Sequence, residues 1–136
     1  MTLFVDTSVW SLLLRRDAAS VEPEVSALVH ALEAGEEVVG TGLVLQELLQ
    51  GFTGPKDRRA IIGRFQALPL LLPDRQDHIA AAELRNSCRR AGLQIGTIDA
   101  LLAQLCMRHR LIMLSTDQDF AHIATRHPLK VWRYAI

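Results

Sequence analysis

From its N-terminus the chain alternates short apolar runs with longer segments whose apolar residues recur every three or four positions. Leu3–Val5 is the first run and fits a short buried strand; Ser8 is placed to cap a helix beginning near Val9. Ser20 precedes Glu22-Pro23-Glu24, a helix start, and Val25, Leu28, Val29 and Leu32 follow with helical spacing as far as Gly35. Glu37–Gly40 reads as a second strand. Thr41 or Gly42 then opens a helix that carries Glu47 among Leu45, Leu48 and Leu49, a pattern that predicts burial around most of its circumference. Gly51 and Gly54-Pro55 break it. A helix over Asp57–Gln66 leads to Leu68–Leu72, a weaker strand whose flanking prolines suit a sheet edge. Asp77–Ala91 is an amphipathic helix stopped by Gly92, and Thr97 is placed to cap a helix over Ile98–Arg110. Leu111–Leu114 reads as a central strand, Asp119–Thr125 as a short helix and Leu129–Trp132 as the last strand.

Strands that alternate with helices predict an α/β domain with a mainly parallel sheet covered on both faces. The 136 residues contain no repeat, low-complexity tract or linker, so positions 1–136 read as a single domain with room for a real core. In such sheets, sites form beyond the carboxyl ends of the strands where strand order reverses. Asp6 and Asp117 both fall just past predicted strand ends.

Four acids thus stand out: Asp6 after Leu3–Val5, Glu47 inside an apolar helix, Asp99 at the start of another, and Asp117 after Leu111–Leu114. A carboxylate set against apolar neighbours is costly unless solvated, hydrogen-bonded or bound to a cation. Convergence of all four on one metal would answer the four costs together. Taken singly, each has an ordinary explanation: Asp99 suits a helix N-terminal dipole, Asp117 an N-cap and Asp6 an Asx-turn. Asp57, Asp74, Asp77 and Glu83 read as solvated surface.

Composition narrows the picture. A hydrophobic fraction of 49% with 22% charged residues is globular. No apolar run approaches the roughly 20 residues that span a bilayer, and Met1 leads straight into a core strand with no signal-peptide pattern, so a cytoplasmic location is expected. Cys88 and Cys106 lack CxxC spacing and read as buried, inert thiols. The net charge of zero hides an asymmetry. Setting aside the four acids and Asp119 leaves 15 cationic residues against 10 acidic ones, and 13 of the cations are Arg. Arg suits bidentate phosphate contacts, which permits a nucleic-acid substrate. Its clusters include Arg15-Arg16, Lys56 with Arg58-Arg59, Arg85 with Arg89-Arg90, and Arg108-His109-Arg110.

The order and spacing of Val-Asp-Thr-Ser-Val-Trp, Glu-Leu-Leu-Gln-Gly, Thr-Ile-Asp-Ala-Leu-Leu-Ala and Ser-Thr-Asp-Gln-Asp-Phe resemble the PIN-domain ribonucleases, most closely the VapC toxins of toxin–antitoxin pairs. The resemblance implies a three-layer α/β/α sandwich with a short five-stranded, mainly parallel sheet. It also implies that Asp6, Glu47, Asp99 and Asp117 form a catalytic acidic quartet, in which Asp6, Asp99 and Asp117 hold metal. Asp119 is an alternative fourth acid, and Ser8 and Ser115 would orient Asp6 and Asp117. Arg15, Arg85 and Arg89 are candidates for substrate contact. The implied cofactor is Mg²⁺, with Mn²⁺ as a substitute, and the implied partners are an RNA substrate, a VapB-type antitoxin and a second copy of the chain.

Carboxylates packed together repel, and a hard cation with oxygen ligands relieves that repulsion while supplying a nucleophilic water. Hydrolysis of this kind leaves a 5′-phosphate and a 3′-hydroxyl without a covalent enzyme intermediate. A non-catalytic PIN domain that only binds antitoxin and operator DNA is the alternative. A receiver-like phosphoacceptor is disfavoured because Thr7, not an acid, follows Asp6. A haloacid-dehalogenase-type phosphatase would need an Asp at position 8, where this chain has Ser8. Trp10, Leu12–Leu14, Phe52 and Phe65 are expected in the core, with Trp10 and Phe52 as alternative lining for an antitoxin groove; Trp132 and Tyr134 are expected to pack or to stack a base.

Overall fold

The computed structural model describes residues 2–15 and 22–133. Among these the chain runs β1 (Leu3–Val5), α1 (Thr7–Leu14), α2 (Pro23–Glu33), β2 (Val38–Thr41), α3 (Gly42–Gly51), α4 (Pro55–Gln66), β3 (Leu70–Leu71), α5 (Arg75–Arg90), α6 (Thr97–His109), β4 (Ile112–Leu114), α7 (Gln118–Ala124) and β5 (Lys130–Val131). The strands form one sheet in the order β3-β2-β1-β4-β5, with every pair parallel. The chain walks outward from β1 to β3, then crosses back over β1 to reach β4 and β5. Right-handed crossovers therefore place α1–α4 on one face and α5–α7 on the other, giving an α/β/α sandwich. Strand order reverses between β1 and β4, where Val5 lies opposite Leu114.

Local chemistry sets the helix ends. Pro23 and Pro55 open α2 and α4, at first-turn positions where a missing N–H costs nothing. Asp74 and Asp77 form a reciprocal capping box on α5, with both backbone-to-carboxylate distances at 2.9 Å. Gly92, at φ +84°, turns the chain out of α5, and Arg110 takes the left-handed conformation at the end of α6. Phe4, Val5, Met113 and Leu114 in β1 and β4 are fully buried, as expected of strands covered on both faces. Trp10 of α1 packs on Phe65 of α4 with ring centroids 5.2 Å apart.

Several expectations from sequence need correction. The helix after β1 begins at Thr7 rather than Val9, and Ser8 does not cap it; the N-cap is Asp6, without a side-chain capping bond. Thr97 is likewise the first helical residue of α6 and not its cap, which is Gly96. Helix α3 buries only Val44 and Leu48, so Leu45 and Leu49 lie on half-buried flanks and the helix is one-sided. Strand β3 is confined to Leu70–Leu71 at the edge. Asp77 is not solvated surface: it is buried, bonded to the Asp74 N–H and paired with Arg108. That pair ties α5 to α6. Ser20, Arg16 and Tyr134 lie outside the described residues. Trp132 is half-buried against the core, and its backbone N–H donates to the Met113 carbonyl at 2.9 Å. Among the described residues no helix is long and apolar enough to cross a membrane.

Candidate active site

Because β1 and β4 are adjacent and parallel, their carboxyl ends deliver Asp6 and Ser115 side by side. The Asp6 N–H donates to the Leu114 carbonyl at 3.0 Å, so even the backbone of the two strand ends is tied. The Asp6 side chain is 7% exposed, and its Oδ2 accepts from Ser8 Oγ at 3.0 Å and Ser115 Oγ at 2.8 Å. The Thr116 N–H donates to Ser8 Oγ at 3.1 Å, and the Asp117 N–H to Ser115 Oγ at 3.0 Å. Each hydroxyl thus donates to Asp6 and accepts from the loop after β4, which uses its hydrogen-bonding capacity in both directions. The pair clamps the two strand ends together.

Glu47 enters from the other side of the sheet order, in the second turn of α3. It is half-buried, and its Oε1 accepts from Thr7 Oγ1 at 2.9 Å. Consecutive residues at the start of α1 therefore each hold one carboxylate: Thr7 holds Glu47, and Ser8 holds Asp6. Thr7 was not singled out from sequence. The available signal was its hydroxyl directly after Asp6, where a helix start aims successive side chains in different directions.

Asp99 lies in the first turn of α6. Asp117 caps α7 by accepting from the Asp119 N–H at 2.9 Å, and Asp119 occupies the first turn of that helix. Carboxylate oxygens of Asp99, Asp117 and Asp119 lie within 4.8 Å of one another. Burial, followed by the charges of Asp6, Asp117, Asp119 and Glu47, pushes the Asp99 pKa from 3.8 up to about 6. All five acids therefore act on one place. The arrangement differs in detail from the quartet expected from sequence: Asp119 joins the tight triple, whereas one oxygen of Asp6 is committed to two hydroxyls. The capping role of Asp117 and its place in the cluster are both realised by the same side chain.

The donor set fits a hard divalent cation. It consists of carboxylate oxygens alone, without the thiolate or imidazole that softer metals select. Mutual repulsion on Asp99 is the cost that such a cation would relieve.

The arginines are placed differently. Arg85 is half-buried, with Nε donating to the Ile95 carbonyl at 2.9 Å, and exposed Arg89 donates to Asn86 Oδ1 at 3.1 Å. Exposed Arg15 closes α1 at the end opposite Asp6, about 13 Å along the helix axis. His109 is exposed at the end of α6. Cys88 and Cys106 are free and buried, and burial pushes both thiols up, which makes them poor nucleophiles.

The family model of the PIN domain matches residues 3–126. The chain belongs to the PIN-domain family. No curated protein sequence matches it significantly. Solved structures show the same fold at low identity. The PIN domain is similar to a chain of VapBC2 from Rickettsia felis, solved bound to a DNA fragment from its promoter, with 17% identity, 97% of this chain and 98% of that chain covered, and a TM-score of 0.74. A chain of VapBC-1 from nontypeable Haemophilus influenzae gives 18% identity, 97% coverage of both chains and a TM-score of 0.73. VapC20 of Mycobacterium tuberculosis, described as a sarcin-ricin loop cleaving toxin, gives 17% identity, 88% and 93% coverage and a TM-score of 0.66.

Proposed function

We propose that this PIN domain is a cytoplasmic VapC-type toxin: a metal-dependent endoribonuclease that hydrolyses phosphodiester bonds in tRNA, rRNA or mRNA and is neutralised by a VapB-type antitoxin. The observation that carries the reading is the convergence of Asp99, Asp117 and Asp119 oxygens, with Asp6 and Glu47 acting on the same point. The fold likeness to VapBC proteins favours the antitoxin partner. A homodimer and a higher-order complex with antitoxin belong to the same reading.

Asp99, Asp117 and Asp119 would hold Mg²⁺ or Mn²⁺, with Asp6 contributing through its second oxygen. When bound, the ion supplies an activated water and stabilises charge on the scissile phosphate. Ser8 and Ser115 fix Asp6, and through their bonds to Thr116 and Asp117 they keep the loop after β4 in register with it. Thr7 orients Glu47, whose remaining carboxylate oxygen is available to a water or a hydroxyl of the substrate. The site needs no nucleophilic side chain.

Purified protein, freed of antitoxin, should cut cellular RNA with Mg²⁺ or Mn²⁺ and stop doing so in EDTA. Asp6→Asn and Asp99→Asn should fold, and should neither cut RNA nor arrest growth. Absence of cleavage with either metal, together with normal growth on induction, would overturn the nuclease reading. Equal growth arrest by wild type and both variants would favour the non-catalytic alternative.

A further inference from the structure

Beside the acids, between α5, α6 and the start of α3, lies a cavity of about 430 Å³. Its position is set by the same elements that set the site. Leu43, on its wall, is four residues before Glu47 and so on the same face of α3, about 6 Å along that helix. Thr97, Ile98 and Ala100, also on the wall, bracket Asp99 in α6. The cavity therefore shares α3 and the first turn of α6 with Glu47 and Asp99.

Its chemistry is specific. Leu43, Ala81, Ile98 and Leu101 make it largely apolar, and Ile98 is 38% exposed, a large aliphatic side chain left open beside a carboxylate. Arg85 forms part of the wall with its Nε fixed on the Ile95 carbonyl, which holds the guanidinium plane still. Asn86 is oriented by Arg89, which donates to its Oδ1, so the amide nitrogen is left as a directed donor. No carboxylate lines the cavity, in contrast to the cluster beside it.

A largely apolar cavity with a fixed guanidinium and one oriented amide on its wall offers what an unpaired base requires: a stacking surface and a group to read its edge. A base held in a duplex could not enter it. Resting on the nuclease reading above, we propose that this cavity receives an unpaired nucleobase of the RNA strand next to the scissile phosphate and determines which base is preferred there. Arg85 stacks on the base, Ile98 packs against its other face, and Asn86 donates to an acceptor on its edge. The substrate segment is then a single-stranded loop, and selectivity resides in one nucleotide beside the cut.

The test begins by locating the cut through sequencing of new 5′ ends. Four oligonucleotides differing only in the nucleotide flanking that cut are then compared by kcat/KM with Mg²⁺. Wild type should separate the best base from the worst by about tenfold or more, as expected for one good base contact. Asn86→Ala and Ala82→Phe, the latter filling the cavity from an exposed position, should reduce that ratio to within about twofold. The inference is overturned if wild type cuts all four equally or if both variants keep the wild-type ratio. It is equally overturned if Ala82→Phe changes only the oligomeric state in sedimentation, which would make this face a contact between copies. Cleavage of none of the four, nor of any cellular RNA, would instead remove the nuclease reading on which the inference rests.

Discussion

Asp99→Asn removes one negative charge from the point where the fields of four other acids meet. In the folded protein Asp99 ionises near pH 6, whereas its ordinary value is 3.8, and burial and the neighbouring carboxylates are the causes. That interval corresponds to about 3 kcal/mol of unfavourable energy in the ionised form. Asp99 is only half-buried, so solvent screening leaves about 1 kcal/mol. The sign follows from proton uptake. Between pH 3.8 and about 6 the folded state holds a proton that the unfolded chain has released, so stability falls as pH rises through that window. Below pH 3.8 both states are protonated and the penalty is absent; above pH 6 it is complete. In EDTA at pH 8, Asp99→Asn should therefore melt about 4 °C above wild type, and the gap should close by pH 4. Mg²⁺ at a hundredfold excess over its Kd should raise wild-type stability by about 2.7 kcal/mol, and the variant by much less. Calorimetry or circular dichroism melts measure all three quantities. An Asn variant that is no more stable than wild type in EDTA at pH 8 would refute the claim that these carboxylates repel one another. So would a gap that persists at pH 4.

Other substitutions separate positioning from folding. Thr7→Val keeps the shape but frees Glu47, and kcat on RNA should fall about tenfold with little change in KM or melting temperature, the value of one lost hydrogen bond. Ser115→Ala removes a bond to Asp6 and the acceptor of the Asp117 N–H; Mg²⁺ affinity, read by titration calorimetry, should weaken about tenfold or more. Asp77→Ala breaks the α5 capping box and removes one of the two carboxylates that pair with Arg108, leaving Asp74 at 3.4 Å, so it should cost about 1 kcal/mol in urea unfolding while RNA cleavage at 20 °C persists. Burial alone would raise the Asp77 pKa, but the Asp74 N–H, the Gln104 side chain and Arg108 hold it below the usual value. That contribution is present above pH 3.8 and lost as pH falls through the lower folded value, so wild type and Asp77→Ala should converge in acid.

Much of this protein was readable without coordinates. Apolar runs at Leu3–Val5 and Ile112–Leu114 are buried whichever way the sheet is ordered, because any parallel sheet covered on both faces needs strands of that kind. Asp6 and Asp117 stand where such strands end, and the order of four motifs carried the family. The periodicity of α3 misled, because Leu45 and Leu49 extend a hydrophobic pattern that the neighbouring helices cover on one side only. Asp77 looked like ordinary surface for a related reason: nothing nearby in sequence announces that Arg108, thirty-one residues later, will cover it.

Which acids stand closest together was a tertiary matter. Sequence alone weighed Asp117 against Asp119 as alternatives, because residues two apart in a loop can face either way. The turn into α7, in which Asp117 caps the N–H of Asp119, directs both carboxylates toward Asp99. The role of Thr7 was hidden likewise, since its partner Glu47 is 40 residues away; the resemblance gave Ser8 to Asp6, but not its contact with Ser115, 107 residues on. A strand end determines that a carboxylate emerges from the sheet; only the packing of helices from both faces decides which other side chains it meets.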